Sequence, residues 1–386
     1  MAGFDGTYAP TVKVQFVKSG VWTDVASTDL LLVNIERGRD RPDDEIDPGT
    51  CTIVLDNRSG IYDPDYTAAS TWVVGGVSIL RANLQMRVVA TWAGVPYIQF
   101  AGFLETPNVD QGFENTVTFT FVDGLALFGE AVAPSITVTA GPRYQGETTS
   151  TRATRLLDQA GWPAGDRSIS GSVQLNTDKQ GRPMLTMLRE CALAEGGKFY
   201  ISRAGVARLE TRDSKFSKPT VLEFSDARPQ PSNTVEYSGI VTQPGTMQLV
   251  NQSIIKRTDP LYPDNGREYT ATYTSSANAY GTRTVSYEIP VFSLVTAKKL
   301  SWFYARKDAQ PDTRLTSISF DAMNLGTLYP DFLSADLGDQ IIVNRTTMDG
   351  RTVVWYVAIE GIEHVIDPEG GWTVRYATSP LNPYTF

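Results

Sequence analysis

Apolar and polar residues alternate along most of the chain with a period of two, which is typical of β-strands that bury one face. The alternating stretches are rich in valine, threonine, isoleucine and aromatic residues, and turn-forming residues separate them. Strands are therefore predicted to dominate both ends of the chain. The clearest examples are residues 12–17, 116–124, 267–274, 282–289, 314–322, 352–360 and 371–378.

A different period occurs in the middle of the chain, where apolar residues recur every three or four positions, as on an amphipathic helix. Residues 150–163 carry this pattern, with Ser150 or Thr151 suited to the N-cap and Gly161 to the C-terminal end. Residues 182–197 carry it again and end in two glycines. Two helices are predicted here, followed by a β-hairpin.

These patterns divide the chain into three predicted domains. Residues 1–132 form a first β-domain, and residues 229–386 form a second one that includes a predicted helix at 293–308. Between them, residues 133–228 form a small α/β domain of two helices and a hairpin. A proline-rich stretch at 227–233 marks the exit from this domain.

The two ends of the chain contain an internal repeat. Residues 79–89 align with residues 332–342 without a gap, at an offset of 253 from Leu80 to Leu333. A glycine-to-aromatic interval follows in each copy, at a larger offset that a longer hairpin in the second copy explains. The strand that ends at Asp56 also resembles the strand that ends at Asp321. The matched pairs are Leu80 with Leu333, Ala82 with Ala335, Leu84 with Leu337, Gly102 with Gly361 and Phe113 with Trp372.

Three matched segments in the same order predict two related β-barrels, one at each end of the chain. The predicted fold class is therefore α+β and mainly β, with two related β-barrel domains on either side of a small α/β domain. Chance similarity between β-rich segments is the alternative, and the common order of the segments argues against it.

Charge and composition limit the classes of function. The chain has 34 basic and 43 acidic residues, a net charge of −9, and no basic cluster that would bind phosphates. Two cysteines that are far apart, Cys51 and Cys191, argue against a disulfide framework and a cysteine-based metal site. No apolar run is long enough for a signal peptide or a membrane span, so we expect synthesis in the cytoplasm.

The residues that could carry chemistry predict neither catalysis nor metal binding. His364, the single histidine, alternates with Ile362 and Ile366 in a predicted strand, which favours a structural role. The acidic stretch at 37–49 lacks the spacing of an EF-hand loop, so a solvated loop is favoured over a calcium site. Residues 141–150 lack the Lys-Ser/Thr ending of a P-loop. We therefore predict no catalytic residue, no metal and no cofactor.

Residues 37–64 resemble a signature of the minor tail proteins of long-tailed phages, especially phages of actinobacteria. The signature consists of Arg-Gly-Arg, an acidic loop, a glycine, and a strand that ends in Leu-Asp-Asn-Arg-x-Gly-x-aromatic-x-Pro. Residues 155–171 and 276–287 resemble two further segments of the same family, so the resemblance spans most of the chain. The matching signature residues are Arg37, Gly38, Arg39, Gly49, Leu55, Asp56, Asn57, Arg58, Gly60, Tyr62 and Pro64.

The resemblance implies a baseplate-hub or tail-tip hub protein, which is a structural virion protein assembled in the host cytoplasm and not an enzyme. In this family two related β-barrels flank an α/β insertion, and three chains form a ring of six barrels that continues the hexameric tail tube. The expected partners are further copies of the chain, distal tail and tail-tube proteins, the tape measure protein and other tail-tip proteins. Genomic DNA would pass through the lumen without specific binding. The internal repeat suits this design, because a trimer matches a hexamer only if each chain supplies two similar units.

For the loop at the end of the signature we expect a defined turn. Asp56 and Asn57 are expected to bond nearby backbone groups in an Asx-type turn, and Gly60 to adopt a positive φ. Arg58 is expected to pair with a carboxylate of its own chain or of the next subunit. The second half of the chain has no Leu-Asp-Asn-Arg copy and carries Asp321-Ala322-Met323 there instead.

Two other functions remain open on the sequence alone. A distal tail ring protein would be a hexamer with one barrel in each chain. A cell-wall-binding or cell-wall-degrading tail protein is less favoured, because one histidine without a motif offers little from which to build a catalytic site.

Overall fold

The structure is a computed structural model that describes residues 9–42, 44–109, 115–131, 146–177, 182–258, 267–368 and 371–381. The repeat position Phe113 and the predicted domain limit at residue 132 lie outside these residues. The described part contains 21 β-strands and seven α-helices. The mainly β fold predicted from the alternating pattern is therefore confirmed.

The strands include the predicted alternating stretches, and further strands, short and long, lie between them. In chain order they are β1 (Thr11–Lys18), β2 (Val21–Asp24), β3 (Leu30–Gly38), β4 (Asp47–Asp56), β5 (Val73–Val74), β6 (Val77–Ser78), β7 (Gln85–Trp92), β8 (Val95–Val109), β9 (Thr116–Val122), β10 (Arg167–Ile169), β11 (Lys198–Ile201), β12 (Ala207–Glu210), β13 (Thr220–Ser225), β14 (Gly239–Gln243), β15 (Gln252–Arg257), β16 (Glu268–Thr272), β17 (Thr284–Ile289), β18 (Arg314–Asp321), β19 (Gln340–Thr346), β20 (Thr352–Asp367) and β21 (Gly371–Pro380).

The three predicted helices are present, with one difference at an N-terminus. Thr148, rather than Ser150 or Thr151, caps the first of them, because its hydroxyl accepts the backbone N–H of Thr151. The second ends at Gly196, which has a φ of +63°. The helices are α1 (Gly124–Glu130), α2 (Thr149–Gln159), α3 (Met184–Glu195), α4 (Ser214–Ser217), α5 (Thr274–Tyr280), α6 (Leu294–Lys307) and α7 (Tyr329–Ser334).

Most strands belong to one large sheet, in which two sets of strands repeat the same order. We call β3, β4, β9, β8 and β7 the first strand set, and β14, β18, β21, β20 and β19 the second strand set. Every neighbouring pair within both sets is antiparallel. The sets join where β3 pairs with β20. One more strand follows each set, but β1 is antiparallel to β7 whereas β13 is parallel to β19.

Strand register relates the two sets residue by residue. The long strands β8 and β20 each carry a bulge at a glutamate, Glu105 in the first set and Glu360 in the second. The turn before β7 and the turn before β19 each contain a residue with positive φ, Asn83 and Gly338. The amide of each turn residue donates to the carbonyl just before the bulge. Both correspondences have an offset of 255 residues.

This register corrects the gapless sequence alignment. Leu84 corresponds to Asp339 and not to Leu337, since each precedes the last strand of its set, β7 or β19, by one residue and its carbonyl accepts the amide before the bulge. The alignment is wrong by an even number of residues because side chains on a strand return to the same face at every second position. Alternation alone therefore cannot distinguish the two registers. By the same pairing, the counterpart of Gly102 is Val357 rather than Gly361.

Each strand set is rolled around an aromatic core. Phe16 of β1 lies 5.6 Å from Phe121 and 6.0 Å from Phe119, both on β9, although β7 and β8 separate these strands in the sheet. In the same way Phe224 of β13 lies 4.9 Å from Phe320 of β18. The pairings among the described residues form an open path, so the closed barrels expected from the sequence are absent from this part of the chain.

Two smaller units accompany the large sheet. In the first, α2 and α3 pack against a three-stranded sheet of β10, β12 and β11, and this unit contains the predicted hairpin. In the second, α6 packs against β16, β15 and β17. Strand β13 precedes the predicted boundary at residue 228 but pairs with β19 of the second strand set. Main-chain pairing therefore links the middle of the chain to its C-terminal part.

His364 lies inside the second strand set, with 5% of its surface exposed. Its Nδ1 accepts a hydrogen bond of 3.1 Å from the indole Nε1 of Trp372, and the ring of Phe332 packs edge-on against it. Burial, together with the nearby charge of Arg37, lowers the pKa of His364 to about 3. The histidine is therefore neutral near pH 7, and the structural role predicted for it agrees with this packing.

The buried histidine predicts a pH dependence of stability. Between pH 6.5 and pH 3 the unfolded chain binds a proton at His364 that the folded chain does not, so its contribution to stability falls as the pH falls, by about 1.4 kcal/mol per pH unit. His364→Gln keeps an acceptor for Trp372 and removes this titration. We expect the free energy of unfolding of the variant, measured with urea and relative to the wild type, to rise by about 2 kcal/mol from pH 7 to pH 5. A difference that does not change with pH would contradict the buried neutral histidine.

Candidate functional site

The first part of the signature lies where the two strand sets meet. Gly38, at the end of β3, pairs with Gly361 of β20 and has a φ of +91°. A Cβ atom on Gly38 would lie 2.2 Å from the carbonyl oxygen of Glu360. The next amide, that of Arg39, donates to this same carbonyl at 2.9 Å. Only glycine allows the two strands to approach this closely at the bulge.

A buried ion pair closes the junction on one side. Nε and Nη2 of Arg39 donate to Oε2 of Glu360 at 3.0 and 2.8 Å, and the hydroxyl of Ser379 donates to Oε1 at 2.7 Å. Burial alone would raise the pKa of Glu360, but the charges of Arg39 and Lys198 and these hydrogen bonds outweigh it and hold the pKa far below its usual range. Glu360 is therefore ionised, and both of its carboxylate oxygens accept hydrogen bonds.

A second buried pair joins three parts of the chain. Nη2 of Arg37 donates to Oδ1 of Asp336 at 2.7 Å and to the carbonyl of Ile201 at 3.1 Å. The other oxygen of Asp336 accepts the backbone N–H of Arg203 at 3.3 Å. Burial opposes ionisation of Asp336, yet Arg37 lowers its pKa overall. The first strand set, the hairpin of the α/β unit and the turn before β19 meet at this carboxylate.

Gly49 of the signature lies on β4, the other strand that pairs with β3 at the junction. A Cβ atom there would lie 2.8 Å from Oδ2 of Asp123 and 3.0 Å from Cγ of Arg37. The carboxylate of Asp123 caps α1 by accepting the N–H of Leu125, and burial raises its pKa to about 7. Gly49 thus leaves space for both the helix cap and the stem of Arg37.

The second part of the signature forms the turn after β4. Oδ1 of Asp56 accepts the N–H of Arg58 at 3.0 Å, which is the hydrogen bond of an Asx turn. Oδ1 of Asn57 accepts the N–H of Tyr62 at 3.0 Å, and Gly60 has a φ of +74°. The Arg58 side chain pairs with Asp56 of the same chain and is 78% exposed. The turn is therefore held by bonds within its own chain.

Tyr62 anchors this turn to the core of the first strand set. It is buried, its ring packs beside that of Trp72, and its hydroxyl donates to Asp29 at 2.8 Å. Leu55 is fully buried in the same core, and Pro64 is half-buried. The signature thus divides into a junction part at 37–49 and a turn part at 55–64.

The repeat positions belong mainly to the cores of the two strand sets. Ala82 is exposed and Leu84 is half-buried. Gly102 pairs with Met86, and Gly361 lies opposite Gly38 at the junction. The remaining positions described by the structure are buried, namely Leu80, Leu333, Ala335, Leu337 and Trp372.

The acidic partners of the junction were not identified from the sequence. Asp336 and Glu360 lie about three hundred residues from the arginines that they bind. The local signal that was present is the Glu360-Gly361 pair, since a charged residue followed by glycine inside an apolar strand indicates a bulge.

The histidine and the two cysteines are buried. Cys51 and Cys191 are both enclosed, and burial raises the pKa of Cys191 to about 12 and that of Cys51 further. The described residues include no group of three or more His, Cys, Asp or Glu arranged to hold a metal ion. Across the same residues, every helix is too short or too polar to cross a membrane.

The junction makes a prediction about Gly38. Gly38→Ala introduces a Cβ atom into the carbonyl of Glu360 and strains the positive φ, so we expect a loss of about 3 kcal/mol or more in the free energy of unfolding. Gly94→Ala is the matched control, because Gly94 also has a positive φ, +81°, but has no atom within 4 Å of the added Cβ. The control should lose about 1 kcal/mol. Equal losses in urea unfolding would show that the close approach at Gly38 is unimportant.

Comparison with known proteins relates this fold to phage tail proteins. No protein-family model and no curated protein matches the sequence. A tail protein from Neisseria meningitidis MC58 matches 97% of this chain and 97% of its own, with 13% identity and a TM-score of 0.63. The 43 kDa tail protein of prophage MuSo2 from Shewanella oneidensis matches over 95% and 98%, with 12% identity and a TM-score of 0.58.

The prophage tail protein gp18 from Listeria monocytogenes EGD-e matches over 96% of this chain and 95% of its own, with 9% identity and a TM-score of 0.50. At these identities the similarity is one of fold. The resemblance to phage tail proteins is therefore confirmed at the level of the fold, and its restriction to phages of actinobacteria stays a prediction. The chain has the fold of these tail proteins along almost its whole length.

Proposed function

We propose that this chain is a structural protein of a phage tail and forms the tail-tip or baseplate hub ring. The ring would continue the tail tube and adapt its sixfold symmetry to threefold. The observation that carries the proposal is the repeated strand order, because one chain with two strand sets yields six similar units from three copies. The fold shared with prophage tail proteins supports the assignment to a tail.

The proposed domains are those predicted from the sequence. Residues 1–132 and 229–386 would each contribute one rolled strand set that closes into a barrel within the ring, and residues 133–228 would form the insertion between them. The ring would contact distal tail and tail-tube proteins, the tape measure protein and other tail-tip proteins in the virion. The net charge of −9 supports a wall that repels phosphates, so that DNA passes without binding.

Two observations favour this function over its alternatives. A hexameric distal tail ring needs only one unit in each chain, whereas this chain has two strand sets. A cell-wall-degrading protein needs an accessible base or nucleophile, and His364, Cys51 and Cys191 are too buried to serve as one. The proposed role is therefore structural and not enzymatic.

The stoichiometry tests the proposal directly. Native mass spectrometry of the purified full chain at micromolar concentration should give three times the mass of one chain. Negative-stain electron microscopy of the same sample should give rings with six similar lobes, since two strand sets from each copy alternate around the axis.

The other possible stoichiometries are equally informative. Six copies in each particle would support the distal tail ring instead. A chain that stays monomeric across the concentration range would refute the homotrimeric ring. Turnover of purified cell wall by this chain alone would refute the assignment as a non-enzyme.

A further inference from the structure

We infer that neighbouring copies of this chain meet where the outer edge of β14 in one copy lies against residues 105–108 of β8 in the next. We call these two surfaces the seam. The inference rests on the proposed ring and deepens it by naming the surfaces that touch. Its basis is the junction inside the chain, where β3 pairs with β20.

The strand order identifies the seam. In that order β3 and β14 are the first strands of their sets, and β20 and β8 are the fourth strands. The contact inside the chain is thus a first strand lying on the fourth strand of the other set. In a closed ring of alternating sets every set has two neighbours, so a second contact of the same kind must form between copies. The strands left for it are β14 and β8.

Equivalent positions on the two fourth strands differ in exposure as this requires. Glu360 and Ile362 of β20 are 6% and 4% exposed because β3 covers them. Their counterparts on β8 are Glu105, which is exposed, and Pro107, which is half-buried. Thr106 and Asn108 beside them are exposed as well. Among the described residues, the segment 105–108 has β9 as its strand partner and none on the other edge. One copy of the repeat is covered and the other is not.

The first strands show the same difference. Val33 of β3 is fully buried, whereas its counterpart on β14, Ile240, is half-buried. The next residue, Val241, is 53% exposed. Within the described chain β14 pairs with β18 alone and ends the path of the large sheet. An uncovered strand edge with an exposed valine is a surface on which another strand can pack.

A second copy is the occupant that these surfaces fit. β14 is the counterpart of β3 and β8 is the counterpart of β20, and β3 already pairs with β20 inside the chain. A copy therefore presents β14 to one neighbour and β8 to the other. Pro107 lies in the β8 segment and has no amide hydrogen. It removes one donor from the edge, which suppresses unrestricted strand addition and makes the seam weaker than the junction inside the chain.

A cysteine pair tests the seam. Within the chain Glu36 lies opposite Glu363, and their counterparts are Thr242 on β14 and Asn108 on β8. Opposite residues on antiparallel strands have Cα atoms about 4.5–5.5 Å apart, which a disulfide can span. The full chain carrying Asn108→Cys and Thr242→Cys, oxidised with copper phenanthroline, should therefore give covalent dimers and trimers on a non-reducing gel, and no larger species. Reduction should return them to one band.

Controls separate the seam from random collision. The native cysteines are buried, so each single variant should stay monomeric on the same gel or, at most, give a trace of dimer. The pair Asn108→Cys and Val295→Cys places the second thiol on the exposed side of α6 and should not cross-link. The seam would be overturned if this control pair cross-linked as much as the seam pair. It would also be overturned if the chain formed a native trimer but the seam pair gave no cross-linked product. Either result would leave the proposed ring intact. Absence of a native trimer would overturn the ring itself.

A substitution on the β14 edge provides an independent test. Val241→Lys places a charge on the seam, at a side chain that is 53% exposed in the single chain. We expect the trimer to dissociate to monomers by native mass spectrometry, while the midpoint of thermal unfolding of the monomer stays that of the wild-type monomer. Val95→Lys is the matched control, because Val95 is 50% exposed at the hairpin end of β8, away from the seam. A Val241→Lys trimer as stable to dilution as the Val95→Lys trimer would contradict the inference.

Discussion

The structure depends on one close approach, that of β3 to the bulge of β20. Gly38 brings the strands together at the carbonyl of Glu360, and one strand from each set then shares a main-chain ladder. The aromatic cores hold each strand set by itself, because burial of apolar surface has no preferred direction. The ladder and its glycine fix how one set is placed against the other. The positions of the outer edges, including β8 and β14, follow from that placement.

The buried ion pairs at the junction supply specificity more than net stability. Removing two charges from water costs about as much as their attraction returns, so a buried pair adds little, while the loss of one partner costs about 3–5 kcal/mol. Arg37 with Asp336 and Arg39 with Glu360 thus penalise every register that separates them. Asp336 also binds the backbone of Arg203. The α/β unit is therefore tied to the same register as the two strand sets.

The sequence predicted those features that have a local cause. Period-two alternation located the main strands, and the helical period with its glycines located α2, α3 and α6. The predicted stretches did not include β3, β8, β14 or β15, or the short helix α7. The partners of Arg37 and Arg39 were also missed, because a contact across about three hundred residues leaves no local pattern. The repeat was recognised with its register displaced, since an even shift preserves which side chains face the core. The closed barrels predicted for the two ends are open rolls in the described chain.

In the proposed ring, β3 and β20 meet within one chain, whereas β14 and β8 meet between copies. This difference explains why the signature occurs once in a duplicated chain. A junction within the chain forms during folding and persists at any concentration, so it tolerates buried arginine pairs that require exact partners. A seam between copies must remain closed to other partners until assembly, and an exposed edge with a proline is suited to that. By the same register the counterparts of Arg37 and Arg39 are Gln243, the last residue of β14, and Gly245, so neither arginine is repeated. Two similar strand sets can therefore carry two different joints, and three copies with one of each would close the proposed ring of six sets.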